Sequence, residues 1–446
     1  MAMADSRRQR IITLCGLYVA QGVPWGFMAI TLPAFLSDKY NVDDEVLGHL
    51  KGVILLPWSF KLLWAPLMDS FTIRSMGRRR PWIIGAELLM AATLLGLLGI
   101  KDLDQNIQLL VWMYILHNIF ASLQDVCTDA LAVDILPAAE QGRMNGLMWG
   151  SKMVGYALGM TGLAFVLEDW GLDACVMVQI AILLCIMLIP MLILEREGEK
   201  RFPWSHGRAM GESGTRNVRS PKALFRDLKR AFSLTTTLVF LVFTLTKLFG
   251  SGINEVVTIS LYTKKLGWEH TEFSTVQGLY SLTPIILGAV LGGFLADRFG
   301  RRKILVAGFG GYAMTAMAFA AFPELWEQRW FAISYVLAYQ GLNVMASVGF
   351  LSMAMRISWT TAAATVFTTY MALSNVSHVI GNMLAGPVRS LFKFGDESQA
   401  ANMFSYELTF WFVGLITLVP LLLLFYVKQD EVRQAREAET AGEADA

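Results

Sequence analysis

Apolar residues gather along this chain into twelve runs, at 11–36, 46–69, 81–100, 108–135, 143–167, 174–194, 233–263, 272–297, 303–322, 328–356, 361–386 and 404–427. A helix needs about 20 mostly apolar residues to cross roughly 30 Å of hydrocarbon. The pattern therefore predicts an all-α membrane protein with twelve transmembrane helices. The first run is too long for the core of a signal peptide, contains Pro24 and Pro33, and lacks a small-residue cleavage site. It is read as the first span.

Two of the polar breaks resemble each other, about half a chain apart. Leu67-Met68-Asp69 is followed after seven residues by Gly77-Arg78-Arg79-Arg80-Pro81, and Leu295-Ala296-Asp297 leads through two residues into Gly300-Arg301-Arg302-Lys303. An Asp closing one run, a Gly turning the chain and arginines opening the next describe a short cytoplasmic hairpin. The repetition predicts two pseudo-symmetric six-helix lobes, 1–194 and 233–427, joined by a polar linker at 195–232 and followed by a cytoplasmic tail at 428–446. Within the linker, Leu224, Phe225 and Leu228 make one apolar face of a helix expected to lie on the membrane surface. Two related lobes are a common plan for secondary transporters, with solute held near the bilayer midplane. Movement of a solute is therefore expected rather than chemistry.

Composition agrees with this reading. Hydrophobic residues make up 55% of the chain and charged ones 16%, against about 25% charged in soluble domains. A net charge of +1 offers no basic surface to nucleic acid. The cysteines fall inside apolar runs, so neither disulfide nor metal site is expected, and no Walker motif points to ATP; a proton gradient is the expected energy source and no cofactor is expected. With a cytoplasmic N-terminus, 26 of the 37 Lys and Arg fall on the inner side, seven on the outer side and four within spans. That asymmetry puts both termini in the cytoplasm. The expected partners are the bilayer and a small solute, with no obligate protein partner evident.

Ionisable groups inside spans are costly and usually face the bundle interior or a wet cavity. On the fourth span Asn118, Asp125 and Asp129 lie within about 40° of one another around the helix, with Gln124 adjacent. Two carboxylates one turn apart suit proton exchange; the alternative is permanent pairing with lysines of neighbouring spans. Lys152 on the fifth span is one such lysine. On the seventh span Lys247, Ser251 and Asn254 share a face with Glu255 on its edge, and Gly250 and Gly252 either loosen the helix or let a neighbour approach. Lys247 and Lys61 are candidates to hold an anionic group, although Lys61 has the option of snorkelling inward, and Lys51, near the outer end, is expected to snorkel. His378 on the eleventh span, Gln21 on the first, and Gln340 and Asn343 on the tenth complete the candidate solute contacts. Asp69, Arg78, Arg79, Arg80, Glu140, Arg143, Asp297, Arg298, Arg301 and Arg302 are candidate gating groups of the inner loops.

The segment Gly292-Gly-Phe-Leu-Ala-Asp297-Arg298-Phe-Gly300-Arg301-Arg302 resembles the signature loop of the major facilitator superfamily, and Glu140-Gln-Gly-Arg143 resembles its next cytoplasmic loop. Phe60-Lys61-Leu-Leu-Trp64-Ala-Pro66, Gln124-Asp125 and Thr246-Lys247-Leu resemble the branch of AmpG-like muropeptide permeases and acetyl-CoA transporters. That resemblance implies a twelve-helix fold, an alternating-access cavity lined by spans one, four, seven and ten, and proton-driven symport of a polar or anionic solute such as an anhydromuropeptide. Members of that branch carry an Asp soon after the seventh-span lysine; here Glu255 stands in its place. Acetyl-CoA or siderophore transport, and a receptor built on a transporter fold, are the alternative expectations; the lack of a nucleophile with an evident base argues against an enzyme.

Overall fold

The structure is a computed structural model that describes residues 2–64, 67–68, 74–100, 105–202, 204–205, 229, 232–358, 363–393, 399–428, 430–435 and 437. Among them the regular elements are helical, apart from an isolated bridge between Ala2 and Leu194. The first helices are α1 (Arg7–Tyr40), α2 (Asp44–Leu55), α3 (Arg80–Leu95), α4 (Ile107–Ile135), α5 (Ala138–Ala157) and α6 (Leu163–Leu192). Then come α7 (Thr235–Lys264), α8 (His270–Ala296, whose last turn reaches Phe299), α9 (Arg301–Ala321), α10 (Arg329–Ile357), α11 (Ala363–Leu391) and α12 (Gln399–Leu418).

Eight helical stretches of the described residues are long and apolar enough to cross a membrane. The other runs of the sequence depart from a single uninterrupted apolar helix for physical reasons. At Leu56-Pro57 the second run tightens into a 3-10 segment, Leu56–Leu63, and leaves helical geometry at Phe60. The third is a helix of only 16 residues. The fifth and sixth merge into one stretch, Gly146–Leu192, broken where Gly171 takes φ +79. The eleventh run, on α11, has Asn375, Ser377, His378 and Asn382 among its apolar residues.

The chain forms two compact units. Unit 1 comprises the described residues of Met1–Tyr40, Val53–Val218 and Glu269–Leu279, and unit 2 those of Asn41–Gly52, Arg219–Trp268 and Tyr280–Ala446. Each therefore includes a short segment from the opposite half of the sequence. In unit 1 the start of α8 docks through His270, whose Nδ1 lies 3.1 Å from the Asp38 carboxylate. In unit 2 the Glu45 backbone approaches so closely that a Cβ on Gly386 would lie 2.4 Å from its Cα.

Unit 1 is held by close backbone contact between α1 and the α5–α6 stretch. A Cβ at Gly26 would lie 2.1 Å from the Tyr156 carbonyl oxygen, and one at Gly159 2.1 Å from that of Val23. In lipid, where apolar side chains gain little by leaving their surroundings, such contact is a main source of helix association. Both helices pass the crossing through π-turns, Phe27–Thr31 and Leu158–Gly162, and Thr31 Oγ1 donates to the Met160 carbonyl at 2.7 Å. That bond gives a partner to a carbonyl in the widened turn. Unit 2 instead carries an aromatic core, in which Phe319 stacks on Tyr335 with centroids 4.1 Å apart and Trp326 Nε1 donates to the Phe319 carbonyl at 2.7 Å.

The arginines of the first hairpin are engaged inside unit 1. Gly77, at φ +103, makes room for two carboxylates that a Cβ would meet at 2.7 Å (Glu195) and 3.0 Å (Glu199). Glu195 accepts from the backbone N–H groups of Arg79 and Arg80 at 3.0 and 3.3 Å. The Arg80 guanidinium, fully buried, donates to the carbonyls of Pro190, Met76 and Arg201, with Glu199 at 3.7 Å. Arg79 Nε donates to Asp134 at 3.0 Å. Asp69 lies outside the described residues, as does most of the amphipathic linker stretch. The side chains of Arg143 and Asp297 are likewise not described.

Burial, followed by the neighbouring Glu195 carboxylate, pushes the Glu199 carboxyl up to about 7 from its ordinary 4.5. The folded chain then holds more protons than the unfolded chain across that interval, so this attachment weakens as pH rises through it. Amide exchange at Arg79, Arg80 and Glu195, corrected for intrinsic rate, is expected to speed up between about pH 5 and about pH 8, and Glu199→Gln to remove the dependence; a pH-independent parent would contradict the assignment. For the helix crossing, Gly159→Leu is expected to cost about 1–3 kcal/mol through overpacking, whereas Gly162→Ala, with nothing near its Cβ, changes little. Thermal unfolding in detergent separates the two, and equal midpoints would discount the crossing.

Candidate functional site

In unit 1, α4 presents one polar face to α1, α3, α5 and the 3-10 segment. Asp125, buried, receives Lys61 on one oxygen and Lys152 on the other, the latter at 3.3 Å. Among these three side chains, a carboxylate between two ammonium groups leaves one positive charge in excess, with Asp129 a further carboxyl one turn away. Sequence leaves open whether the two aspartates repel or pair with lysines; the structure pairs Asp125 with Lys61 and Lys152, and Asp129 accepts from the Tyr18 hydroxyl. Lys61 does not snorkel here but turns to Asp125.

Aromatic rings surround these cations. Lys152 Nζ lies 5.1 Å from the ring centroids of Trp25 and Trp58 and 5.6 Å from that of Trp149, and Lys61 Nζ lies 4.5 Å from the Trp58 ring. Ring faces attract cations, so the tryptophans hold the lysines as well as forming the wall. Trp58 is fixed by donating to Asn118 Oδ1 at 3.1 Å, and Asn118 in turn donates to the Ile54 carbonyl at 2.9 Å. Asn118 thus acts on the 3-10 segment and positions the ring beside Lys61.

Behind this wall runs a hydrogen-bonded chain. Gln21 donates to Gln124 at 2.7 Å, and Gln124 to Glu87 Oε1 at 3.2 Å. Glu87 is fully buried and its other oxygen has no partner among the described residues. The sequence reading passes over Glu87, although an acid inside the 81–100 run is the same signal that singles out Asp125.

In unit 2, Lys247 sits where α7 bends, its Nζ donating to Ser374 at 2.8 Å and lying 3.9 Å from the Phe350 ring. The bend is capped by Ser377, which accepts from the Leu248 N–H at 3.0 Å. No carboxylate pairs with Lys247 among the described residues. Gly252 serves close approach, since a Cβ there would lie 2.5 Å from the Asn382 backbone nitrogen. Asn254 accepts from Tyr335 and Thr258, and Ser251 is buried one turn away. On α10, Asn343 keeps a carbonyl oxygen with no partner among the described residues, and Gln340 is half-buried.

Glu255 does not stand alone on its edge: it bridges Lys51 at 3.1 Å and His378 at 3.0 Å. Lys51, whose position suggests snorkelling, is instead fully buried. A nearby carboxylate makes burial tolerable where the interface does not. Of the remaining gating candidates, Glu140 pairs with Arg10 at 2.8 Å, Arg301 donates to the Ser352 carbonyl, and Arg298 lies over Phe299.

Comparison with known proteins bears on the whole chain. The family model of the Major Facilitator Superfamily matches residues 14–381 and 248–444. The anhydromuropeptide permease of Escherichia coli strain K12 is 26% identical over 441 residues, covering 96% of this chain and 81% of its own. A putative transporter AmpG 4 of Rickettsia conorii is 24% identical, covering 94% and 96%. Among solved structures, the nucleoside transporter NupG aligns with a TM-score of 0.69 at 12% identity, covering 94% of this chain and 99% of its own. A D-xylose-proton symporter aligns at 0.68 and 13% identity, covering 95% and 98%. These structures establish the fold.

The two aspartates are expected to respond differently to amidation. Asp125→Asn strands two cations in a buried site and should lower stability by about 3 kcal/mol or more. Asp129→Asn weakens one bond to a neutral hydroxyl, worth about 1 kcal/mol. Thermal unfolding of the purified variants reads this, and an Asp125→Asn midpoint no lower than that of Asp129→Asn would contradict the pairing.

Proposed function

Because the chain belongs to the Major Facilitator Superfamily, we propose that this transporter is a proton-coupled importer of an anionic solute of the anhydromuropeptide class. Its setting is a bacterial inner membrane, with twelve spans and both termini cytoplasmic. One observation carries the reading: two lysines share a single aspartate beneath a wall of tryptophans. Indole faces suit sugar rings, and an excess ammonium suits a carboxylate. An anhydromuropeptide joins the two groups in one molecule. The permease named for that solute is similar over nearly the full chain, which adds to the same reading.

The cluster also supplies a logic for coupling. While Asp125 is ionised it competes with an incoming carboxylate for Lys61 and Lys152; once protonated, it releases an ammonium to the solute. Proton and anion then bind together more readily than either alone, the condition for symport. Asp129, one turn away and held by Tyr18, is the second carboxylate of this relay, and Glu255 the candidate in unit 2. Lys247, with no acid beside it among the described residues, is the candidate cationic contact for the solute in unit 2.

In proteoliposomes with an inward proton gradient, the parent is expected to accumulate labelled anhydromuropeptide. Asp125→Asn and Asp129→Asn, each assayed on homogeneous folded protein, should lose accumulation while retaining part of solute exchange. Normal accumulation by both variants would remove the coupling role. Lys247→Gln should weaken solute affinity about tenfold, as expected when one charge-assisted contact is lost, and unchanged affinity in a binding titration would remove Lys247 from the site. Uptake of coenzyme A esters or siderophores in preference to the muropeptide would overturn the substrate class.

A further inference from the structure

At the arginine-rich end of unit 2 a cavity of about 720 Å³ opens among the α8–α9 turn, the end of α10 and the segment after α12. Arg301, Arg302, Lys303, Arg356 and Lys428 line it. None of the five forms an ion pair among the described residues: Arg301 reaches only the Ser352 carbonyl, and Arg302 lies 5.4 Å from the Phe425 ring. The two acids of the lining are engaged elsewhere. Asp430 pairs with Arg433 at 3.3 Å, and Glu431 accepts from the Thr236 N–H at 3.3 Å and from its hydroxyl. Gly300, at φ +98, opens α9 without a side-chain cap, so the amide end of that helix adds to the positive field.

The surroundings of the cavity distinguish among anions. Phe299 and Phe425 flank it, 52% and 73% exposed. From Phe299 an outward apolar stripe runs back along α8 through half-buried Leu295 and exposed Leu291, and from Phe425 another runs back through Leu422 and Val419. A small inorganic anion has no use for such stripes. An amphiphile places its chains on them and its charge between them.

We propose that this cavity binds the headgroup phosphate of an anionic phospholipid, with its acyl chains lying along the exposed faces of α8 and of the 3-10 segment Val419–Tyr426. Basic clusters at a membrane surface attract anionic lipid by about 1 kcal/mol per cation. The five cations answer the phosphodiester; Phe299 and Phe425 mark where headgroup gives way to hydrocarbon.

Delipidated full-length protein in neutral detergent, titrated with phosphatidylglycerol or phosphatidylcholine of identical chains and read by native mass spectrometry, tests this. Phosphatidylglycerol is expected to bind preferentially, and the triple variant R302Q/K303Q/K428Q to weaken it by at least about tenfold. Because these side chains make no ion pair among the described residues, the variant should unfold at the parent's temperature, which is checked in parallel. Equal binding of the two lipids, or unaltered phosphatidylglycerol binding by the folded triple variant, would overturn the proposal. A third arm adds inorganic phosphate in millimolar excess. Displacement of the lipid by phosphate alone would assign the cavity to a soluble phosphate and overturn the lipid reading, whereas persistence of the lipid supports it.

Discussion

The buried charge of Asp125 has to be answered by opposite charge, and the arrangement of unit 1 follows from that requirement. The idealised cost of moving an ion from water into a low-dielectric medium is of order 20 kcal/mol, reduced to several by relaxation and pairing. Asp125 meets it with two lysines from two other elements, so the 3-10 segment, α4 and α5 are tied at one point. The tryptophans around the lysines and the Asn118 bond that orients Trp58 build outward from the same point. Lys247 meets the requirement differently, with a hydroxyl and a ring face. A cation held by neutral groups alone is suited to receiving a mobile anion.

Close helix contact makes the polar arrangement possible. Gly26 and Gly159 bring backbones together near the tryptophan wall, and the π-turns beside them rotate the faces that follow. A bulkier residue at the crossing would move Trp25 and Tyr156, whose rings lie 5.0 Å apart. Packing and chemistry are therefore linked through geometry rather than through direct contact.

The fold was legible in the sequence because a bilayer demands long apolar runs, and those runs survive almost any detail of packing. The helix interruptions were less so. Pro57 and Gly171 are visible as residues, but the 3-10 segment and the break they accompany depend on neighbours. The polar stripe of α4 could be read from helical periodicity, yet the choice of Lys61 and Lys152 as partners for Asp125 could not, since nothing local connects positions so far apart in sequence. Lys51 illustrates the opposite error: distance from a helix end suggested the interface, while Glu255 and the packing of α11 drew it inward. Glu87 needed only the rule already applied to Asp125, used on every span. For Arg79 and Arg80 the decisive partners were Glu195 and Glu199, at the start of a linker whose composition suggests only a tether.

One feature of the architecture bears on how the chain can be divided. Unit 1 includes Glu269–Leu279 from the second half of the sequence, and unit 2 includes Asn41–Gly52 from the first. A cut within the linker would leave neither fragment with a whole unit. The N-terminal fragment would expose the groove that His270 and Gly278 occupy, and its counterpart the surface that meets Gly48 and Lys51. Such halves are poor candidates for separate production and good ones for reassembly, since each holds the segment the other lacks.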